Sequence, residues 1–325
     1  NKKGGLRMKQ GLILAGEPMG LLIAQSEGAL GSVTGYDLAV AGAEFNVAVG
    51  VARLGHRVTY LTKLGRDPFG ERIIHVLSEN QIGNEFIAWD AERRTGFMLK
   101  GRVHAGDPPI FYFRAGSAAS TLAPEDVEAI DFSSYSHIHL TGILPALTAS
   151  TRAAVDLMFT RARAAGLTIS FDPNLRPQLW PDERTMRETI NDLAARADIV
   201  LPGTAEGKIL VGSDEPTAIS DYYQERGART VITKCGSTGA YVADGAERYH
   251  VAGFCVREVV DTVGAGDGFA AGVLTGLMEG LSMRDAVRRG AAIGAIQVMS
   301  RGDNEGLPTP AELERFMKEA DSTDE

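Results

Sequence analysis

The chain has 325 residues, with 33 Lys+Arg set against 42 Asp+Glu, and a formal net charge of −9. That acidity excludes a broad electrostatic footprint for nucleic acid or anionic membranes, and no apolar run approaches the ~18 residues of a membrane span. Two cysteines, Cys235 and Cys255, are too few for a disulfide framework and point to a reducing, cytoplasmic setting, while 38 glycines are an excess that needs explaining.

The opening Asn1–Arg7 reads as a ragged leader, and the fold is expected to begin near Gln10. Leu12–Ala15 reads as a strand, and Glu44–Leu54 as an apolar helix leading to a strand at Val58–Thr62. Four further strand candidates, Gly20–Gln25, Tyr36–Val40, Thr95–Val103 and Ile110–Phe113, flank glycine-rich loops. They suggest a small sheet projecting from the main body as a lid, and a surface for homodimerisation. From 137 onward, short apolar runs ending at Leu140, Phe171, Leu201 and Thr233 recur about every 31 residues, with helix-like segments such as Thr151–Ala164 and Glu183–Ala195 between them. A strand–helix–strand unit takes about 30 residues, so this rhythm predicts a mostly parallel α/β sheet with ligands at the carboxyl ends of its strands. After Val260 the pattern is helical: Gly268–Glu279, Met283–Met299 and Pro310–Ala320, with a fraying acidic tail from Glu319. No linker-like boundary divides the chain, so residues 1–325 are expected to form one domain with its lid drawn from about 20–40 and 95–115.

The stretch Asp261-Thr262-Val263-Gly264-Ala265-Gly266-Asp267-Gly268 is read as the last strand-to-helix turn of the sheet, with the helix starting around Asp267. Backbone N–H groups of Gly264, Ala265 and Gly266 can converge at the positive end of that helix and make an anion hole. A carboxylate at the same turn suits a general base that takes a proton from a hydroxyl attacking phosphorus. A glycine-rich turn with Asp267 as a helix cap accounts for the same residues. A Walker loop is absent, and a dinucleotide fingerprint fails because Phe269 stands where Gly or Ala is required.

This stretch resembles the C-terminal signature of the ribokinase-like (PfkB) sugar kinases. Ala41-Gly42-Ala43-Glu44-Phe45-Asn46-Val47-Ala48, then Arg53-Leu54-Gly55 and Gly65, resemble their N-terminal signature, more than 200 residues earlier and in the same order. The resemblance covers nearly the whole chain. It implies a three-layer α/β sandwich with a β-sheet lid, ATP and Mg²⁺ as cofactors, Asp267 as base, and Gly264–Gly266 against the transferring phosphate. It also implies sugar contacts from Gly42 and Asn46. Phe111–Ser120 and Asp172–Trp180 resemble the 2-keto-3-deoxygluconate kinases of that family, whose substrate is a small sugar acid. A carboxylate is best held by guanidinium groups, and Arg114 and Arg176 stand at matching positions, with Tyr112 beside them. The competing reading pairs each arginine with a nearby carboxylate, such as Asp172. A neutral-sugar kinase such as a fructokinase, or a silent sugar-binding regulator on the same fold, are the alternatives.

Lys234, Gly236 and Gly239 resemble the family's ATP-proximal loop, for which a plain β-turn is the other reading. Glu206 matches a family glutamate linked to Mg²⁺ through water, but Gly203 replaces the asparagine that usually precedes it. Met98 and Ala291 also depart from residues common in the subgroup, Tyr and Asn respectively. Gly16-Glu17-Pro18 replaces the early Asp of neutral-sugar members and agrees with the keto-deoxy acid kinases. Arg301–Gly306 closes the nucleotide region by resemblance, though by composition it is a polar turn. His137 and His139 share a strand face but lack further metal ligands at suitable spacing.

Overall fold

The computed structural model describes residues 11–104 and 108–323, so the leader and the start near Gln10 lie outside the described residues. The strands are β1 Leu12–Ala15, β2 Met19–Ala24, β3 Tyr36–Ala41, β4 Val58–Gly65, β5 Gly83–Asp90, β6 Phe97–Lys100, β7 Ile110–Phe113, β8 His137–Thr141, β9 Thr168–Asp172, β10 Ile199–Val200, β11 Thr230–Lys234, β12 Gly239–Asp244 and β13 Glu247–Ala252. The helices are α1 Ala43–Arg53, α2 Pro68–Glu79, α3 Pro124–Glu128, α4 Leu144–Leu147, α5 Ala149–Ala165, α6 Glu183–Arg196, α7 Thr204–Leu210, α8 Pro216–Gln224, α9 Ala265–Met278, α10 Met283–Val298 and α11 Pro310–Thr323.

Nine strands form the central sheet in the order β13-β12-β11-β10-β9-β8-β1-β4-β5. It is parallel from β11 to β5, and antiparallel where β12 and β13 close the other edge. β1 shows why the parallel strands read as unbroken apolar runs. Leu12 and Leu14 pack into the core under α1, α9 and α10, while Ile13 and Ala15 pack into the opposite core with α5 and α6. A strand buried on both faces has no polar alternation to show. The result is the expected three-layer sandwich. Local signals place the helix ends. Thr148 caps α5 by accepting from Thr151 N at 3.2 Å, and Gly166 ends it in the left-handed region at φ 71°.

The lid is a second sheet, β3-β2-β6-β7, built from the four segments expected of it. Its inner face carries Met19, Leu21, Ala41 and Met98. On the outer face Leu38, Leu22, Leu99 and Phe111 stand in one cross-strand row, and Phe69, Phe97 and Phe113 stack at centroid distances of 5.0 and 4.7 Å.

Several expectations are corrected. α9 begins at Ala265 with Gly264 as its cap, so Asp267 lies inside the first turn and is neither cap nor helix start. No strand leads into that turn, because the chain between β13 and α9 is irregular. α11 runs on to Thr323, so the acidic tail from Glu319 is helical there, with Asp321 paired to Arg288. The sequence reading missed α2, α3, α4, β5, α8 and β13. β5 is an edge strand whose partly exposed, charged sequence Gly83–Asp90 hides its alternation.

α9 and α10 pack closely enough that a Cβ on Gly272 would lie 2.7 Å from the Cα of Gly290. Gly272→Val should therefore lower stability by about 1–3 kcal/mol through overpacking, read as a reduced denaturant midpoint at unchanged slope.

Candidate active site

The carboxyl ends of the parallel strands hold most of the polar residues singled out by sequence. Glu17 follows β1, Asp172 ends β9, Lys234 ends β11, and α9 presents its N-terminus beside them. The centre is Asp267. Its Oδ2 accepts a hydrogen bond from Asn46 Nδ2 at 2.8 Å, and its Oδ1 a longer one from Asn174 Nδ2 at 3.4 Å. Asn304 Nδ2 donates to Asn46 Oδ1 at 2.9 Å, which orients the Asn46 amide so that its nitrogen faces the aspartate. Burial pushes the Asp267 carboxyl up to about 7, and the neighbouring Asp172 adds to the rise; Asn46, Arg176 and Lys234 pull against it.

The turn ahead of Asp267 depends on glycine. Gly264 sits at φ 81°, and a Cβ there would lie 2.2 Å from the Asp303 carbonyl. Ala265 N–H turns back to Thr262 O at 3.4 Å, whereas the N–H groups of Gly264 and Gly266 have no partner among the described residues. They remain available to an anion at the helix N-terminus.

A cavity of 440 Å³ opens above Asp267 and is lined by Gly42, Asn46, Tyr112, Arg114, Arg176 and Gly266 among others. Gly42 caps α1 at φ 139°, where a Cβ would approach the Glu17 carbonyl to 2.9 Å. Its requirement is therefore met by the fold itself, at the wall of the cavity. Met98 lies in that wall with Met19, and contributes no hydroxyl.

The two arginines differ. Arg114 is 9% exposed and donates through Nε to Glu17 Oε2 at 2.7 Å, with Nη2 on the same oxygen. Ser117 Oγ holds the other Glu17 oxygen. The competing reading thus holds for Arg114: Glu17 already neutralises it, and only its Nη1 lacks a described partner. Its guanidinium also lies 5.7 Å from the Tyr112 ring centroid. Arg176 donates Nη1 to the carbonyls of Leu175 at 2.8 Å and Asn174 at 3.4 Å. It has no carboxylate partner among the described residues, because Asp172 pairs with Lys234 instead, at 2.5 Å. The uncompensated positive charge in the cavity wall is Arg176.

Beside this cavity lies a second, of 320 Å³, that shares Lys234, Thr262 and Gly266 with it. Its remaining walls include Gly236, Gly239, Phe254, Val256, Ala265, Phe269, Ala291 and Val298. An apolar slot that meets backbone N–H groups and an ammonium at one end fits a nucleoside phosphate, base in the slot and phosphates at the shared end. Cys235 N donates to Gly239 O at 2.8 Å, so the Lys234–Gly239 loop is also a tight turn, and Gly239 is required by Val251 O, 2.1 Å from its would-be Cβ. Burial works against a charged Lys234, yet Asp172 and Glu206 hold its pKa above the ordinary value.

Glu206 lines the cavity, and both its carboxylate oxygens are engaged by the backbone. Its Oε1 accepts Leu175 N at 2.9 Å and its Oε2 accepts Gly203 N at 2.7 Å, closing the first turn of α7. No group of three His, Cys, Asp or Glu side chains that could hold a metal ion exists among the described residues. His139 is fully buried and bonded to Ser170 Oγ at 2.9 Å, and burial lowers its pKa to about 3, which keeps it neutral in the core.

Sequence reasoning missed Glu17 as the partner of Arg114, Asp172 as the partner of Lys234, and the amides of Asn174 and Asn304. Asp172 carried a signal, a charge directly ending the apolar strand Thr168–Phe171. Asn174 lay within a singled-out stretch and is held at φ 39°, an uncommon conformation for a non-glycine residue.

A three-layer α/β fold with a β lid, a desolvated aspartate at a glycine-cradled helix N-terminus and an adjoining apolar slot define a phosphotransferase that acts on a hydroxyl. The sequence profile of pfkB family carbohydrate kinases matches residues 12–310, and the chain belongs to that family of sugar kinases. It is 46% identical over 311 residues to a 2-dehydro-3-deoxygluconokinase of Bacillus subtilis, covering 95% of this chain and 96% of that one. It superposes with TM-score 0.86 on a PfkB protein from Polaromonas sp. JS666 (44% identity, 94% of this chain, 99% of that one). A putative ribokinase II from E. coli in complex with ATP and Mg²⁺ gives TM-score 0.87 at 26% identity, over 95% of this chain and 99% of that one.

The Asp267 environment has a consequence for stability. A carboxyl raised from 3.8 to about 7 stabilises the fold fully below the lower value, and that contribution is lost as pH rises through the higher one. Asp267→Asn stays neutral throughout, so its melting temperature relative to wild type should climb between pH 4 and pH 7. Above pH 7 the difference should level off.

Proposed function

We propose that this kinase is ATP-dependent and phosphorylates a hydroxyl of a 2-keto-3-deoxy sugar acid, 2-keto-3-deoxygluconate in the first place. The observation that carries the substrate class is Arg176, a guanidinium in the cavity wall without a carboxylate partner among the described residues; a neutral sugar offers it hydroxyl oxygens but no charge to pair with. The similarity to the B. subtilis enzyme supports the same reading. In it Arg176 holds the substrate carboxylate, Arg114 adds its one free nitrogen, and Gly42, Asn46 and Tyr112 orient the hydroxyls.

ATP supplies the γ-phosphoryl group. Asp267 takes the proton from the acceptor hydroxyl as that hydroxyl's oxygen bonds to the γ-phosphorus and the bond from phosphorus to the departing ADP oxygen breaks, while the N–H groups of Gly264 and Gly266, with Ala265 between them, offset the charge growing on the phosphoryl oxygens. Lys234, Gly236 and Gly239 border the nucleotide. Mg²⁺ suits this site as an ion carried by phosphate oxygens and water, with Glu206 shaping the loop nearby. The chain acts as a single domain of residues 1–325, and its unpaired cysteines suit the cytoplasm. The exposed outer lid residues Leu38, Phe111 and Phe113 support a homodimer formed lid to lid.

Three tests follow. Asp267→Ala should lower kcat by about 10²–10⁴, and wild-type kcat/KM should rise with pH through about 7 as the base deprotonates; a wild-type-like variant removes the base assignment. In an ADP-release screen, wild type should turn over 2-keto-3-deoxygluconate in preference to fructose. Arg176→Ala should then raise KM for the acid about 10–100-fold while leaving any residual fructose activity unchanged. Sedimentation should show a dimer that Phe111→Asp converts to monomer, and a monomeric wild type would refute the lid interface.

A further inference from the structure

Lys100 ends β6 of the lid, yet its side chain is only 3% exposed. Its ammonium contacts two carboxylates from distant parts of the chain, Asp261 Oδ2 at 2.6 Å and Asp303 Oδ1 at 2.9 Å. Both aspartates support the phosphate-side turn. Asp261 Oδ1 accepts Val263 N at 3.0 Å, so one carboxylate joins the lid lysine to the residue next to Gly264. Asp303 packs its carbonyl against Gly264, and the following Asn304 bonds Asn46, which in turn holds Asp267.

We propose that Lys100 is a positioning residue for phosphoryl transfer: its ammonium fastens the sugar-side lid to the phosphate-binding turn and offsets one of the two carboxylate charges behind it. The proposal rests on the kinase reading above. The physical reasoning is a charge count. One ammonium serves two buried carboxylates, so the cluster is already one negative charge in excess beside the N–H groups meant for an anion. Without the ammonium the excess doubles, the two aspartates repel, and the field at Gly264–Gly266 turns against phosphate. The lid row Lys100–Ile23–Ile110 loses its only tie of this kind to the turn among the described residues.

A purely structural lysine would lower stability alone. A positioning lysine moves nucleotide parameters. Lys100→Ala should weaken ATP binding in calorimetry about tenfold or more and lower kcat, while KM for the sugar stays within about twofold of wild type. Lys100→Arg, which keeps the charge, should recover much of the loss, and ethylammonium in the buffer should partly restore ATP affinity and turnover to Lys100→Ala. A folded Lys100→Ala with wild-type ATP affinity and kcat overturns the proposal, as does a loss that neither Arg nor ethylammonium relieves. If Lys100→Ala does not fold, Asp261→Asn decides: it keeps an oxygen for Val263 N–H and leaves a balanced Lys100–Asp303 pair, so the protein stays folded and, with the excess negative charge beside the N–H groups gone, ATP affinity rises severalfold; unchanged or lowered affinity overturns the charge count on which the proposal rests. Because calorimetry needs no sugar, a wild type that binds ATP in this Lys100-dependent way but phosphorylates no sugar acid defeats the functional reading and leaves this one standing.

Discussion

The site depends on one hydrogen bond, from Asn46 Nδ2 to Asp267 Oδ2 at 2.8 Å, between residues 221 positions apart. It joins the first turn of α1 to the first turn of α9, and it does so around a carboxyl that burial drives toward neutrality. An aspartate with an ordinary pKa is a weak base at neutral pH. One raised to about 7 is still half ionised there and holds its proton far better once it accepts it. The same surroundings that raise it also limit the rise, because Arg176 and Lys234 stand near enough to favour the charged form.

Charges in the cleft are arranged mostly in compensated pairs: Arg114 with Glu17 and Lys234 with Asp172. Pairs of this kind cost desolvation and are strongly penalised when one member is lost. What they leave over is informative. Arg176 is the surplus positive charge on the sugar side, and the bare N–H groups of Gly264 and Gly266 are the surplus donors on the phosphate side. In a protein with net charge −9, a guanidinium without a carboxylate partner and unbonded N–H groups thus stand, among the described residues, on the two sides of one cleft.

Much of this was legible in the sequence because it rests on short-range rules. The 31-residue rhythm gave the parallel sheet, since strands buried on both faces must be apolar throughout. The glycines at 42 and 264 were visible because positive φ and close backbone approach admit little else. The four lid strands were read correctly from weaker alternation. What the sequence hid is pairing at a distance. Nothing local in Arg114 tells that Glu17, 97 residues earlier, cancels its charge, nor that Lys100 on the lid sits between Asp261 and Asp303. The Arg301–Gly306 segment has the composition of a solvent-exposed turn, yet Asp303 and Asn304 are 3% and 5% exposed and lie at the centre of the network. Burial of that kind is decided by what the rest of the chain packs against it.

The central claim is that the fold holds Asp267 as a carboxyl poised near neutrality, and NMR of carboxyl-¹³C-labelled aspartate reads it directly, with Asp267→Asn identifying the resonance. The account predicts that this resonance titrates with a midpoint near 7. A midpoint in the ordinary aspartate range, close to 3.8, would contradict it.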